Sequence, residues 1–274
     1  ITKTARLLKY DTDAAHYANR LNKVHQAFNN NFFNQEKASY GGQTANVMAL
    51  QLGLVPDGRA TEVVKSLKRN ITEKDSSIIK TGIFGLGRIF PALAENGAED
   101  LAYLLLTKKD EPSFMTMWER YHATTLWEIL PVDDFGSSEI ARESSHNHPM
   151  NASYDEWFFR GIGGIHPDED TPGFKNTIFR PYFTKFLQFA NVFYESPYGK
   201  IESKWSHKNG SFYWEIFIPA NTTGTIYLPN GNNFGSVIMN GKNMGFDKLK
   251  KDIRFPEFYL LGQLGSGKYH IELK

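Results

Sequence analysis

Cysteine is absent from this chain of 274 residues, which excludes disulfide frameworks and thiolate metal sites. That absence suits a cytosolic protein or a bacterial exported one, so the compartment stays undetermined. Neither charge sign dominates: 31 Lys and Arg stand against 30 Asp and Glu, a formal net charge of +1. The one basic run, Lys248-Leu249-Lys250-Lys251-Asp252, reads as a solvated loop rather than a nucleic-acid contact. No apolar stretch approaches the ~20 residues of a membrane helix, so no membrane partner is expected. Internal repeats and low-complexity tracts are also lacking. The chain opens at Ile1 with no Met and no signal-peptide pattern, and is read as a processed chain or a segment of a longer one.

Aromatic side chains are plentiful: 21 Phe, 13 Tyr and 5 Trp. Rings at that density supply a core before they supply a ligand platform. The length suits two domains, and the hydrophobic period divides the chain in the same way. Asp11-Thr12-Asp13 offers N-cap side chains to a helix with Tyr17, Leu21, Val24 and Phe28 at spacings of four and three. A second helix is expected from Gln43 to Leu52, stopped by Gly53 with Pro56 beyond. A third begins near Asp57-Gly58 and carries Val63, Val64 and Leu67. A fourth, about Ile83 to Glu95, is expected to bury Phe84, Ile89, Phe90 and Leu93 before Asn96-Gly97 ends it; a fifth runs from Ala98 to Leu106. Trp127 to Leu130 reads as one more helical turn, and Tyr154 to Ile165 as a last full helix. The stretch Pro167-Asp168-Glu169-Asp170-Thr171-Pro172-Gly173 is the natural boundary.

Beyond it the period becomes two: Ile201, Ser203 and Trp205; then Phe212, Trp214, Ile216 and Ile218; then Ile226 and Leu228, Val237 and Met239, and Tyr269, Ile271 and Leu273. Asn209-Gly210, Asn230-Gly231 and Asn240-Gly241 are hairpin-turn signals. The expected fold is all-α followed by all-β: a helical domain over residues 1–170, then an antiparallel β-sandwich of about seven or eight strands over residues 171–274.

The chemistry concentrates in Thr124-Thr125-Leu126-Trp127-Glu128, followed by Ser145-His146-Asn147-His148. Hydroxyls, an indole, a carboxylate, imidazoles and an amide are what a sugar-processing site uses: rings for the sugar face, hydrogen bonds for its hydroxyls, a carboxylate for the reaction. Trp118 and Trp127 suit stacking on a sugar, and equally suit burial with their N–H groups satisfied. Glu128 alone reads equally as a surface or capping glutamate. His146 and His148 form a His-x-His pair, but nothing nearby completes a metal site and no metal or cofactor is expected. Asp133, Asp134, Glu139 and Glu143 read as a solvated acidic loop, with a sugar- or Ca²⁺-binding rim as the alternative. The run Gly82-Ile83-Phe84-Gly85-Leu86-Gly87 lacks the Lys-Ser/Thr ending of a phosphate loop and reads as close helix packing. Asn70-Ile71-Thr72, Asn151-Ala152-Ser153 and Asn221-Thr222-Thr223 would accept glycans only in a eukaryotic secretory setting; a bacterial origin is expected.

A series of short motifs, in order, resembles the α-L-rhamnosidase family of glycoside hydrolases. The helical part carries Thr81-Gly82-Ile83-Phe84-Gly85, Ala94-Glu95-Asn96-Gly97, Pro112-Ser113-Phe114, Ala123-Thr124-Thr125-Leu126-Trp127-Glu128 and Ser145-His146-Asn147-His148. The β part continues it with Pro172-Gly173-Phe174-Lys175, Arg180-Pro181, Ser196-Pro197-Tyr198-Gly199, Ile218-Pro219-Ala220-Asn221 and Leu228-Pro229. The resemblance implies the C-terminal portion of an (α/α)6 barrel plus a β-sandwich, in an enzyme that releases terminal α-L-rhamnose with inversion. Glu128 matches the family's general base and His148 a sugar-contacting histidine. An inverting enzyme also needs a general acid, roughly 6.5–9.5 Å from the base. In the family that acid lies in an upstream motif rich in Asp, Glu, Arg and Trp, which this chain does not contain. The helices are likewise too few to close a double ring, so the expected partners are the missing N-terminal half or a second copy, together with a rhamnose-containing glycan. The chain departs from the family pattern at His122, Leu130 and Pro149-Met150-Asn151, where the family is more aromatic and contains glycine. The competing reading is a non-catalytic carbohydrate-binding or structural module of the same ancestry.

Overall fold

The computed structural model describes residues 1–131, 143–229, 234–245, 249–252 and 254–274. The chain divides into two compact units, Ile1–Gly85 and Leu86–Lys274.

In the first unit, α1 (Thr2–Leu7), α2 (Asp11–Phe32), α3 (Gln43–Gln51) and α4 (Ala60–Arg69) lead into a π turn, Asn70–Lys74. Asp11 and Asp13 lie in the first turn of α2 rather than at its cap, which is Tyr10 with no side-chain hydrogen bond. There the carboxylates face the positive end of the helix dipole. Val47, Val63, Leu67 and Ile71 are fully buried. Phe33, Ala38 and Val63 form a cluster flanked by Tyr40, Leu50 and Val55. Buried Gln43 ties α3 to the segment after the π turn, donating to Asp75 Oδ2 at 3.0 Å and to the Ile78 carbonyl at 2.8 Å.

Helix α5 (Gly82–Ala94) is followed by α6 (Glu99–Thr107) and α7 (Phe114–Glu119). The fourth expected helix is therefore present, but Phe84 is 71% exposed rather than buried, while Ile89, Phe90 and Leu93 are at 0%. The expected helix over Tyr154–Ile165 is replaced by a 3₁₀ turn (Pro149–Tyr154), one α turn (Asp155–Trp157) and a π turn (Phe158–Ile162), and Ile165 already belongs to a strand. This segment packs through rings: Phe90 stacks on Trp157 at 5.7 Å, and Phe114 meets Tyr154 at 4.6 Å. A Cβ at Gly87 would stand 2.5 Å from Ser153, so the glycine run of α5 does serve close packing.

Eleven strands follow among the described residues, in two sheets. The first has the order β1-β2-β6-β10-β9, from β1 (Ile165–Pro167), β2 (Asn176–Phe179), β6 (Thr223–Pro229), β10 (Phe255–Leu264) and β9 (Lys250–Asp252). The second has the order β3-β4-β5-β11-β7-β8, from β3 (Phe189–Ser196), β4 (Gly199–Lys208), β5 (Ser211–Ile218), β11 (Gly267–Leu273), β7 (Val237–Met239) and β8 (Lys242–Asn243). One pair, β2 with β6, is parallel; every other pair is antiparallel among the described residues. The expected alternation holds: Ile201, Ser203 and Trp205 of β4 and Phe212, Trp214, Ile216 and Ile218 of β5 are buried. Each of the large apolar side chains contributes about 1.5–3 kcal/mol on burial. Gly224 lets the sheets meet, since a Cβ there would lie 2.6 Å from Ile218 and 2.9 Å from Phe179. Asn209-Gly210 and Asn240-Gly241 turn with positive φ at both residues, as two-residue hairpins require; Asn230-Gly231 lies outside the described residues. The basic run is a strand rather than a loop: Lys250 and Lys251 are exposed on edge strand β9, where lysine discourages further pairing. Lys248 lies outside the described residues.

Candidate active site

The segment after α7 does not form the helical turn expected at Trp127–Leu130. Its backbone is instead engaged with residues further along the chain. Glu128 N–H donates to the Ser145 carbonyl at 2.8 Å, and His148 N–H donates to the Leu126 carbonyl at 2.7 Å. Thr125 Oγ1 donates to the His146 carbonyl. Three bonds thus draw the Thr-Thr-Leu-Trp-Glu segment against Ser-His-Asn-His.

Glu128 is exposed, and Ser145 N–H donates to its Oε2 at 3.0 Å. A backbone donor of this kind orients a carboxylate while leaving its second oxygen available. Trp127 is half-buried, and His146 covers one face of its indole at 4.4 Å with the planes 14° apart. Tyr121 meets the same ring at 5.9 Å. His148 is half-buried, and its Nε2 is buried without a hydrogen-bond partner. A buried nitrogen of this kind is satisfied only by a donor or acceptor from outside the described residues. Glu128, Trp127 and His148 are therefore brought together. Trp118 belongs to the aromatic packing of α7, half-buried and stacked on Phe114 at 5.7 Å, with Tyr154 at 6.4 Å.

Two further residues shape the site. Ser145 makes two of the bonds to Glu128, and Asn151 donates from Nδ2 to the carbonyls of Trp127 and Glu128. Neither role has a local sequence signal, because the partners are separated by about twenty residues of chain. Of the acidic set, Asp133, Asp134 and Glu139 lie outside the described residues, and Glu143 is exposed. Among the described residues no cluster of three or more His, Cys, Asp or Glu could hold a metal ion. A cavity of about 770 Å³ in the first unit, lined by Lys37, Arg69, Asn70 and Lys74 among others, contains none of the site residues.

Residues 1–162 match the bacterial alpha-L-rhamnosidase 6 hairpin glycosidase domain, and residues 164–242 match the bacterial alpha-L-rhamnosidase C-terminal domain. The chain belongs to the bacterial α-L-rhamnosidase family. An α-L-rhamnosidase of Formosa agariphila is 34% identical over 89% of this chain and 26% of its own length. The solved α-L-rhamnosidase of Dictyoglumus thermophilum superposes with a TM-score of 0.87 at 29% identity, over 100% of this chain and 30% of that one. That of Streptomyces avermitilis, complexed with L-rhamnose, has a TM-score of 0.83 at 25% identity, over 100% of this chain and 25% of that one. The chain thus spans about a quarter of the length of its curated rhamnosidase relatives. The helical part followed by two sheets is the family architecture, a helical barrel joined to a β-domain.

Proposed function

We propose that this chain is the C-terminal part of an inverting glycoside hydrolase that releases terminal α-L-rhamnose, with Glu128 as its general base. The observation that carries this reading is the carboxylate of Glu128. It is exposed, oriented by Ser145 N–H, and sits in a segment that the 6 hairpin glycosidase domain covers. Glu128 deprotonates a water that attacks the anomeric carbon from the face opposite the leaving group. His148 hydrogen-bonds a sugar hydroxyl through Nε2, and Trp127 lines the sugar pocket beside it. Trp118, stacked on Phe114 within the aromatic packing of α7, is left out of the proposed sugar contacts.

The general acid comes from outside this chain, in the upstream helical half. The helical domain of residues 1–170 and the sandwich of residues 171–274 divide the work, the first carrying chemistry and the second supporting it. The first unit exposes Ile1, Leu7, Leu8, Tyr10, Leu21, Val24 and Phe32, all more than half accessible, and the missing helices or a second copy cover them. Hydrolysis of an aryl α-L-rhamnoside tests the reading: the isolated chain turns over nothing, and supplying the upstream half restores activity. Turnover by the isolated chain that disappears in Glu128→Gln would overturn the external acid.

One observation favours the carbohydrate-binding module as a second reading. On the outer face of the six-stranded sheet, Phe193 pairs through Glu202 to Phe217, and Phe189 through Ser206 to Tyr213. All four rings are exposed, Phe189 most of all at 70%. Phe193→Ala then weakens retention on a rhamnose-containing glycan in affinity electrophoresis; unchanged migration speaks against the module.

A further inference from the structure

We infer that Asn151 is a positioning residue for Glu128, an inference that rests on the reading of Glu128 as general base. Asn151 is 3% exposed, and both hydrogens of its amide are committed. Nδ2 donates to the Trp127 carbonyl at 2.6 Å and to the Glu128 carbonyl at 2.9 Å. Because both partners are carbonyl oxygens, only the NH₂ side of the amide fits there. The main chain of Asn151 is pinned in turn, its N–H donating to the His148 carbonyl at 3.0 Å as the 3₁₀ turn Pro149–Tyr154 begins.

The segment around Glu128 has no regular secondary structure to hold its carbonyls. One buried amide does so instead. Glu128 is consequently gripped at three points: its N–H by the Ser145 carbonyl, its carboxylate by Ser145 N–H, and its carbonyl by Asn151. The same amide links Glu128 to the turn that follows His148, so base and sugar-contacting imidazole share one anchor. A buried amide with both hydrogens bonded is also unfit to accept a glycan at Asn151-Ala152-Ser153.

The test uses the chain supplied with its upstream helical half and compares Asn151→Asp, Asn151→Ala and Glu128→Gln on an aryl α-L-rhamnoside. Asn151→Asp keeps the shape but turns acceptors toward two carbonyls; Asn151→Ala removes the donors without that repulsion and covers the case in which the Asp variant does not fold. A displacement of about 1 Å at a reacting group costs about 10²-fold in rate. The expected result is a loss of that size in kcat per folded molecule, with the Kd for L-rhamnose little changed. Wild-type kcat in both Asn151 variants beside an inactive Glu128→Gln overturns the inference. So does a fall in thermal midpoint with kcat per folded molecule intact, which marks a structural role alone. Wild-type turnover in Glu128→Gln overturns the base itself, and this inference with it.

Discussion

At the residue scale, the proposed sugar contact of His148 rests on its buried, unpartnered Nε2. A buried imidazole nitrogen without a partner carries a desolvation cost of about 1–3 kcal/mol, which a sugar hydroxyl would relieve. His148→Ala is therefore expected to weaken L-rhamnose binding by about tenfold or more, read by calorimetry on the chain with its upstream half. An unchanged Kd would remove His148 from the sugar's contacts. The segments that carry Glu128, Trp127 and His148 stand out in the sequence by their residue types, but only the ordered series of family motifs separates Glu128 from a surface glutamate. The contacts that Ser145 and Asn151 make were not visible, although Ser145 stands in the motif itself. Their roles rest on bonds to Trp127 and Glu128 that span 17 to 24 residues. No periodicity encodes such pairings. The same bonds explain why Trp127–Leu130 is not helical: local propensity yields to partners it cannot register.

Elements were more legible than residues. Period-two burial in β4 and β5 and the Asn209-Gly210 and Asn240-Gly241 turns are local signals, and they survive folding unchanged. Helix α5 was legible in extent but not in face, since Phe84 is exposed where Ile89, Phe90 and Leu93 are buried. The glycines of α5 carry a prediction. Gly87→Val inserts a branched side chain where even a Cβ would stand 2.5 Å from Ser153, displacing the Pro149–Tyr154 turn. Overpacking of this kind costs about 1–3 kcal/mol. A lowered denaturant midpoint checks it, and because the turn carries Asn151, kcat is expected to fall as well.

Strand β1 carries a pH dependence. Burial, then the charges of Arg180 and Arg160, lower the His166 pKa from 6.5 to about 3. The folded state thus holds the imidazole neutral where the unfolded chain would protonate it. Stability from this group is complete above about pH 6.5 and is lost as pH falls toward about 3. Thermal midpoints measured from pH 7 to pH 4 should decline in the wild type and flatten in His166→Gln. Parallel declines in both would place the acid sensitivity elsewhere.

For the whole molecule, the division into a helical and a β region follows from a change in hydrophobic period, which is why it could be read in advance. The parallel pairing of β2 with β6 could not, because it joins strands about fifty residues apart whose individual patterns are silent on direction. The exposed apolar residues of the first unit belong to this scale. Leu21 and Val24 lie on a well-formed helix yet are more than half accessible, which fits a surface built to be covered. The isolated chain is expected to self-associate, and Leu21→Lys with Val24→Lys to reduce its sedimentation coefficient toward that of a monomer. A chain already monomeric at high concentration would argue against that face as an interface.

Glu128 is proposed to perform the base chemistry of rhamnoside hydrolysis with an acid supplied from upstream. The most direct measurement is kcat for an aryl α-L-rhamnoside, wild type against Glu128→Gln, on the chain joined to its upstream helical half. A positioned general base contributes about 10²–10⁴-fold, and a loss of that size in kcat is the predicted result. Wild-type kcat in Glu128→Gln would contradict it.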